Sequence, residues 1–151
     1  MRGADHLDFF ARYSRSVPVG INKEHSAGTV NQNPFFDMRS NAFGAAVPIF
    51  CLVAVGAPTG TPDSFSVIAS IRQSASSDGS SSVAVEDCYM DANGDLADSV
   101  TLTEGNTETC LRFELSGDYQ YFGLRIVVAF VNGTTPKVPV AAFFVSEKKT
   151  W

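Results

Sequence analysis

Apolar and polar positions alternate with a period of two along several short stretches of the chain. In "FSVIASIR" (65–72), Phe65, Val67, Ala69 and Ile71 fall on one side, with Ser66, Ser70 and Arg72 on the other. "TCLRFEL" (109–115) sets Leu111, Phe113 and Leu115 against Arg112 and Glu114, and "SVTLT" (99–103) sets Val100 and Leu102 against Ser99, Thr101 and Thr103. Side chains on an extended chain point alternately to its two faces, so this pattern predicts half-buried antiparallel strands. Three longer runs, "VPIFCLVAV" (47–55), "YFGLRIVVAFV" (121–131) and "VPVAAFFV" (138–145), are apolar on both faces. Such strands lie centrally in a sheet, or their outer face is covered by something else.

Further strands are predicted for "SVAVEDCYM" (82–90), "VPVGI" (17–21) and "PFFDM" (34–38). Turn-rich segments separate them: "GAPTGTPD", "SASSDGSSS", "DANGD", "TEGNT", "LSGDY" and "NGTTPK". About eight strands at this spacing predict an all-β chain folded as an antiparallel β-sandwich or jelly roll. Residues 4–13 have the one helical stripe, through Leu7, Phe10 and Ala11. No repeat and no second-domain linker is visible. The predicted organisation is an extended N-terminal arm or loop segment over 1–33, the sandwich over 34–145 and a tail over 146–151.

Composition supports strands. The chain has 151 residues, 44 % of them hydrophobic, including twelve phenylalanines, which is enough for one domain with a core. No apolar run reaches the roughly 18 residues that a spanning helix needs, so no membrane partner is expected. "MRGADHLDFFARYSR" lacks the apolar stretch of a secretory signal. Cys51, Cys88 and Cys110 are odd in number and widely spaced, which reads as buried or half-buried thiols; a Cys88–Cys110 bridge is the alternative. The net charge of −5 is uneven: residues 60–118 hold eleven acids against Arg72 and Arg112. Phosphate contacts need clustered Lys and Arg, so this acidic middle argues against a nucleic-acid partner. It reads as a solvated acidic surface, or as a face for a basic partner.

Little in the chain points to catalysis. His6 and His25 are the only histidines. Neither lies at metal-ligand spacing from another His or Cys, and both are expected on exposed loops. There is no GxGxxG, GxxxxGK[ST] or HExxH. "DANGD" (91–95) has oxygens alternating around a glycine, as a calcium loop has. Counting from Asp91, however, glycine falls at position 4 and leucine at position 12, where an EF-hand needs glycine at 6 and a carboxylate at 12. Asn93-Gly94 is instead a strong two-residue hairpin signal, with Asp91 or Asp95 supporting the turn through side-chain hydrogen bonds. Asn132-Gly133-Thr134 reads as a turn rather than a glycosylation site. No cofactor or metal is expected, and the chain is read as a non-enzyme.

Surfaces remain. "NPFFDM" sets Phe35 and Phe36 beside Pro34 in a polar stretch. Adjacent strand residues point opposite ways, so one ring is expected to face something other than the core. The run ending in Phe143 is apolar on both faces, and the C-terminus adds a basic tail with Trp151. With the aromatic residues Phe9, Phe10 and Tyr13 of the N-terminal segment, these are the candidate interface residues.

The order of these features resembles the jelly-roll capsid cement (decoration) proteins of tailed bacteriophages. The matching pieces are Asp37, Gly44, "VPIFCLVAV", "SVIASIRQS" with Asp78, "TEG" (103–105), "YQYFGLRIVVAF" and "VPVAAFFV", spanning about residues 34–145. The N-terminal segment before Asp37 is unusually long for that family, and "QYFGLRI" stands where the family has an arginine-led aromatic strand. The resemblance implies a structural virion protein, made in the host cytoplasm, on the outer surface of a phage head. It would cement contacts between major capsid subunits, with that capsid protein and copies of itself as partners, as a homodimer or homotrimer at local symmetry axes. A tail- or fibre-associated carbohydrate-binding sandwich is the alternative, and would use Tyr119 and Tyr121 as an exposed platform.

Overall fold

The computed structural model describes residues 15–18, 21–38, 48–114 and 118–146. Among them the chain is all-β and antiparallel, with no helix. The helical stripe at 4–13 lies outside the described residues.

Two sheets form the sandwich. In sheet A, β13 (Val138–Ser146) pairs with β5 (Ile49–Val55), and β5 pairs with the edge strand β11 (Thr107–Phe113). The other flank of β13 is shared by β1 (Arg15–Pro18), beside Phe143–Ser146, and β2 (Lys23–His25), beside Val138–Val140. In sheet B, β6 (Ser64–Ser74) and β12 (Tyr121–Val131) pair over eleven residues. The free flank of β12 takes β3 (Gly28–Asn31) and β4 (Phe36–Asp37), and that of β6 takes β7 (Val83–Ala84) and β10 (Val100–Leu102). A small hairpin, β8 (Tyr89–Met90) with β9 (Leu96–Ala97), belongs to neither sheet but lies beside β11, where the Arg112 N–H bonds the Cys88 carbonyl at 2.8 Å. The short segments share flanks, so each sheet is four strands wide. The eight positions alternate between the sheets in chain order A, B, A, B, B, A, B, A.

Period-2 patterning places the core. Phe65, Val67, Ala69 and Ile71 all turn inward and are buried, as are Leu111 and Phe113. At one end, Phe113 and Phe144 of sheet A meet Phe36 and Phe122 of sheet B, with ring centroids 5.1–5.9 Å apart. Most of these contacts are edge-on, the arrangement that the ring quadrupole favours, each adding about 0.5–1.5 kcal/mol beyond area burial.

Several expectations need correction. Arg15–Pro18, Lys23–His25 and Gly28–Asn31 are strands of the two sheets, so the sandwich starts well before residue 34. These are flanking strands paired on one side, which need few apolar residues and carry a weak pattern. "SVAVEDCYM" is not one strand. It turns at Asp87, whose φ is +54°, and splits into β7 on sheet B and β8 of the hairpin. His25 is buried rather than exposed, and its Nε2 lies 2.6 Å from the Ile21 carbonyl. His6 lies outside the described residues. The three described thiols are free, so Cys88 and Cys110 form no bridge.

"DANGD" does close a hairpin, but not as a two-residue turn. The Asp91 carboxylate Oδ1 accepts the Asn93 N–H at 2.8 Å and the Asp95 N–H at 2.9 Å, while the Asp95 carbonyl takes the Asp91 N–H. Gly94 alone takes positive φ, at +87°. The chain wraps around the aspartate, which makes the loop wider than an Asn-Gly turn. At the opposite end of the sandwich Asn132-Gly133 is a turn, with φ of +57° and +97°.

Candidate functional site

Both faces of β5 and β13 are apolar; one makes the core, and the other is open around Leu52 and Phe143 but closes at Val145, which is 6 % exposed. Val53, Val55, Val140, Ala142 and Phe144 fill the core. The other face forms a three-by-three grid fixed by register. Its rows are Glu108–Ala54–Ala141, Cys110–Leu52–Phe143 and Arg112–Phe50–Val145. Seven of the nine positions carry no charge, and both charged residues lie on the edge strand β11. Leu52 is 43 % exposed and Phe143 39 %, a notable openness for large apolar side chains at the centre of a sheet. A shallow groove lined by Leu52, Ala54, Cys110, Ala141 and Phe143 crosses the grid.

Electrostatics sharpen the outline. Arg112 lies 3.6 Å from Glu114, both well exposed, a pairing of small energetic weight that leaves the rim polar. Cys110 is exposed, yet its thiol pKa is raised, because the surroundings partly desolvate the sulfur. Cys51, on the core side of the same sheet, is fully buried, and burial pushes its thiol well above the ordinary value of 9.0, with Cys110 and Cys88 adding to the shift.

The other predicted interface residues fall elsewhere. Pro34 is exposed at the tip between β3 and β4. Phe35 is 5 % exposed: its ring lies against Gly79 and Gly123, and its N–H bonds the Ser77 carbonyl at 2.8 Å. Phe35 therefore does face away from the core, but the serine-rich loop of its own chain covers it. A Cβ at Gly123 would stand 2.5 Å from the ring, so this close approach requires glycine. Phe36 belongs to the ring cluster between the sheets. Only Phe143 among the described aromatic candidates presents an open apolar side chain. Phe9, Phe10, Tyr13 and Trp151 lie outside the described residues. Leu52, Ala54, Cys110 and Ala141 were not singled out by sequence, although the two-faced runs containing three of them were the available signal.

Tyr119 and Tyr121 are both half-buried, which does not make the open platform that a sugar ring would stack on. The acids Glu86, Asp87, Asp91, Asp95 and Asp98 lie along the β8–β9 hairpin and its base, without a Lys or Arg between residues 86 and 98. Asp98 is engaged locally, its Oδ1 accepting the Asp87 N–H at 2.9 Å. Among the described residues no group of three or more His, Cys, Asp or Glu is arranged to hold a metal ion.

No protein-family model matches this chain, and no curated protein matches it.

Proposed function

We propose that this protein is a structural subunit that works by docking the outer face of sheet A on another protein surface. The observation carrying the proposal is the open apolar patch centred on Leu52 and Phe143, on two strands whose opposite faces already make the core. A rigid sheet presenting a flat apolar face with a charged edge suits a contact that contributes by buried area. With the order of sequence features, we read the partner as the major capsid protein of a tailed-phage head. The protein then cements the shell from outside, as a homodimer or homotrimer at local symmetry axes. The alternation A, B, A, B, B, A, B, A supports taking the sandwich as a jelly roll, the architecture of the family it resembles. Contacts repeated over many symmetry copies stabilise the assembled state by mass action without catalysis.

The test uses purified heads that carry or lack the protein. Heads that carry it should withstand higher temperature before releasing DNA. Leu52→Lys with Phe143→Glu, which stand directly opposite and set opposite charges side by side, should abolish rebinding while leaving the isolated protein folded. Heads that neither bind the wild-type protein nor gain heat stability from it would end the cement reading. Binding that survives the double substitution would move the contact to another face.

A further inference from the structure

We propose that Arg72 and Arg125, on the outer face of sheet B, form a binding site for a single oxyanion. The site is separate from the face used in the proposed function and does not depend on it. Register puts Ser70 opposite Arg125 and Gly123 opposite Arg72, with all four on the side of β6 and β12 that faces away from the core. The two arginines are therefore diagonal neighbours, about 7–8 Å apart at the backbone and within reach of each other's long side chains.

Three observations make this pair unlike an ordinary solvated arginine pair. First, both side chains are half-buried, and neither enters an ion pair among the described residues. Strands β3, β6 and β12 contain no Asp or Glu, and the one acid in the strands of this sheet, Asp37 of β4, stands opposite Tyr121 and is engaged by the Gln120 amide. Secondly, the Arg125 Nε is buried and has no hydrogen-bond acceptor among the described residues. A buried donor left unmatched is costly, and a charged one more so. Thirdly, Arg72 is held in place: its Nε donates to the Ser82 hydroxyl at 3.2 Å and a terminal nitrogen donates to the Ser82 carbonyl at 2.6 Å. That guanidinium is pre-positioned by neutral groups and keeps its charge unneutralised. Its pKa is lowered, by burial first and then by the positive Arg125 beside it, as expected of two cations sharing a partly desolvated place.

The surroundings complete a polar recess. Ser70 stands across from Arg125 on one flank and Asn31 on the other, both able to donate to an anion. The Phe35 ring over Gly123 walls the site beside Arg72. A guanidinium fork matches the paired oxygens of a carboxylate, and charge-assisted bonds of this kind are the stronger ones. A carboxylate or a tetrahedral oxyanion such as sulfate or phosphate shares this chemistry, and the experiment separates the two.

Arginine side-chain N–H resonances of the full-length protein are followed while acetate, sulfate or chloride is added at constant ionic strength. The Arg125 Nε–H signal should shift saturably with acetate or sulfate and not with chloride. Stronger response to acetate identifies a carboxylate site, and stronger response to sulfate a tetrahedral one. Arg125→Lys, followed at the Arg72 Nε–H, keeps the charge and the fold but removes the fork, and should weaken binding by about tenfold, the difference one lost charge-assisted bond makes. Arg72→Gln should also weaken it, and Arg112→Gln on the other sheet should leave it unchanged. Linear, equal shifts for all three anions, or an undiminished response in Arg125→Lys, would overturn the proposal.

Discussion

Gln32 tests the fold most directly. Opposite β12, Asn31 pairs with Arg125 and Phe36 with Phe122, so residues 32–35 face only Gly123 and Leu124. A bulge of this kind interrupts the ladder and leaves backbone groups without regular partners. The Gln32 N–H bonds the Leu124 carbonyl at 2.9 Å, and the Gln32 side-chain Oε1 accepts the Leu124 N–H at 3.1 Å. A side chain thus supplies the acceptor that a strand carbonyl would otherwise provide. It is 2 % exposed, and its Nε2 donates to the Pro34 carbonyl at 3.2 Å. Gln32→Met keeps the volume and strands the buried Leu124 N–H, which costs about 1–3 kcal/mol. Pro34 is exposed, so its carbonyl can turn to water and adds little. Urea unfolding should therefore show a loss of about 2 kcal/mol, and thermal unfolding a fall in Tm of about 4–8 °C for a domain of this size. Gln32→Glu separates hydrogen bonding from shape. The protonated acid keeps an acceptor and fits, but the buried carboxylate is penalised, which raises its folded pKa above the unfolded value. The variant should approach wild-type stability below the ordinary glutamate range and lose it as pH rises through that range towards neutrality. A Gln32→Met protein within about 0.5 kcal/mol of wild type, the scatter of neutral substitutions, would refute the reasoning.

Other predictions are briefer. With a thiol reagent under native conditions, Cys110 should react first and Cys51 only on unfolding, because Cys110 lies at the surface and Cys51 is fully buried. Equal labelling rates would contradict the placement of these strands. Burial also raises the Cys51 pKa, so the folded protein holds the Cys51 proton more tightly than the unfolded chain does. This contribution is intact below the unfolded thiol pKa and is lost as pH rises above it, so Cys51→Ala should flatten the alkaline side of a stability–pH curve. Asp91→Ala should cost about 1 kcal/mol by removing the acceptor of two turn N–H groups, whereas Asp91→Asn should cost little and calcium should not raise the Tm. The Asp78 carboxyl accepts the Ser80 N–H and is held below its ordinary value chiefly by it, with Ser76 adding, so an NMR titration should find it ionised to lower pH than Asp78 in a peptide, and Ser80→Pro should narrow the difference.

How much of this was legible beforehand depends on what each residue faces. Phe65 to Ile71 could be assigned because one side of β6 meets the core and the other meets polar surroundings, so composition alternates with geometry. The strands at 23–25 and 28–31 could not, since "KEH" and "GTVN" attach to sheets along one flank and bury little; their pairing is set by β12 and β13, far away in sequence. His25 was misplaced for a related reason: its burial depends on the Ile21 carbonyl lying in reach, which no local pattern announces. In "DANGD" the residue types did signal a turn, but the turn's width came from one carboxylate oxygen serving two N–H groups, a matter of three-dimensional closure. The exposed grid on sheet A was half legible. Two-faced runs said that the outer sides of β5 and β13 would be apolar, but which strands stand side by side, and hence that Leu52, Phe143 and Cys110 form one row, needed the register.

That row also explains why the two sheets differ in what they offer. Sheet B covers part of its outer face from its own chain, with the loop at 75–82 folded over Gly123 through Phe35 and Ser82 anchoring Arg72. Sheet A leaves Leu52 and Phe143 partly in water, although neither side chain belongs to the core between the sheets. An exposed apolar centre on a sheet lowers solubility and invites association, so its presence beside an edge strand charged by Glu108 and Arg112 is best accounted for by a surface that is covered in use. If the face is covered by a partner, Leu52→Lys with Phe143→Glu should raise solubility and remove binding while the protein still unfolds cooperatively. If the charged pair leaves binding intact, the proposed docking surface is lost.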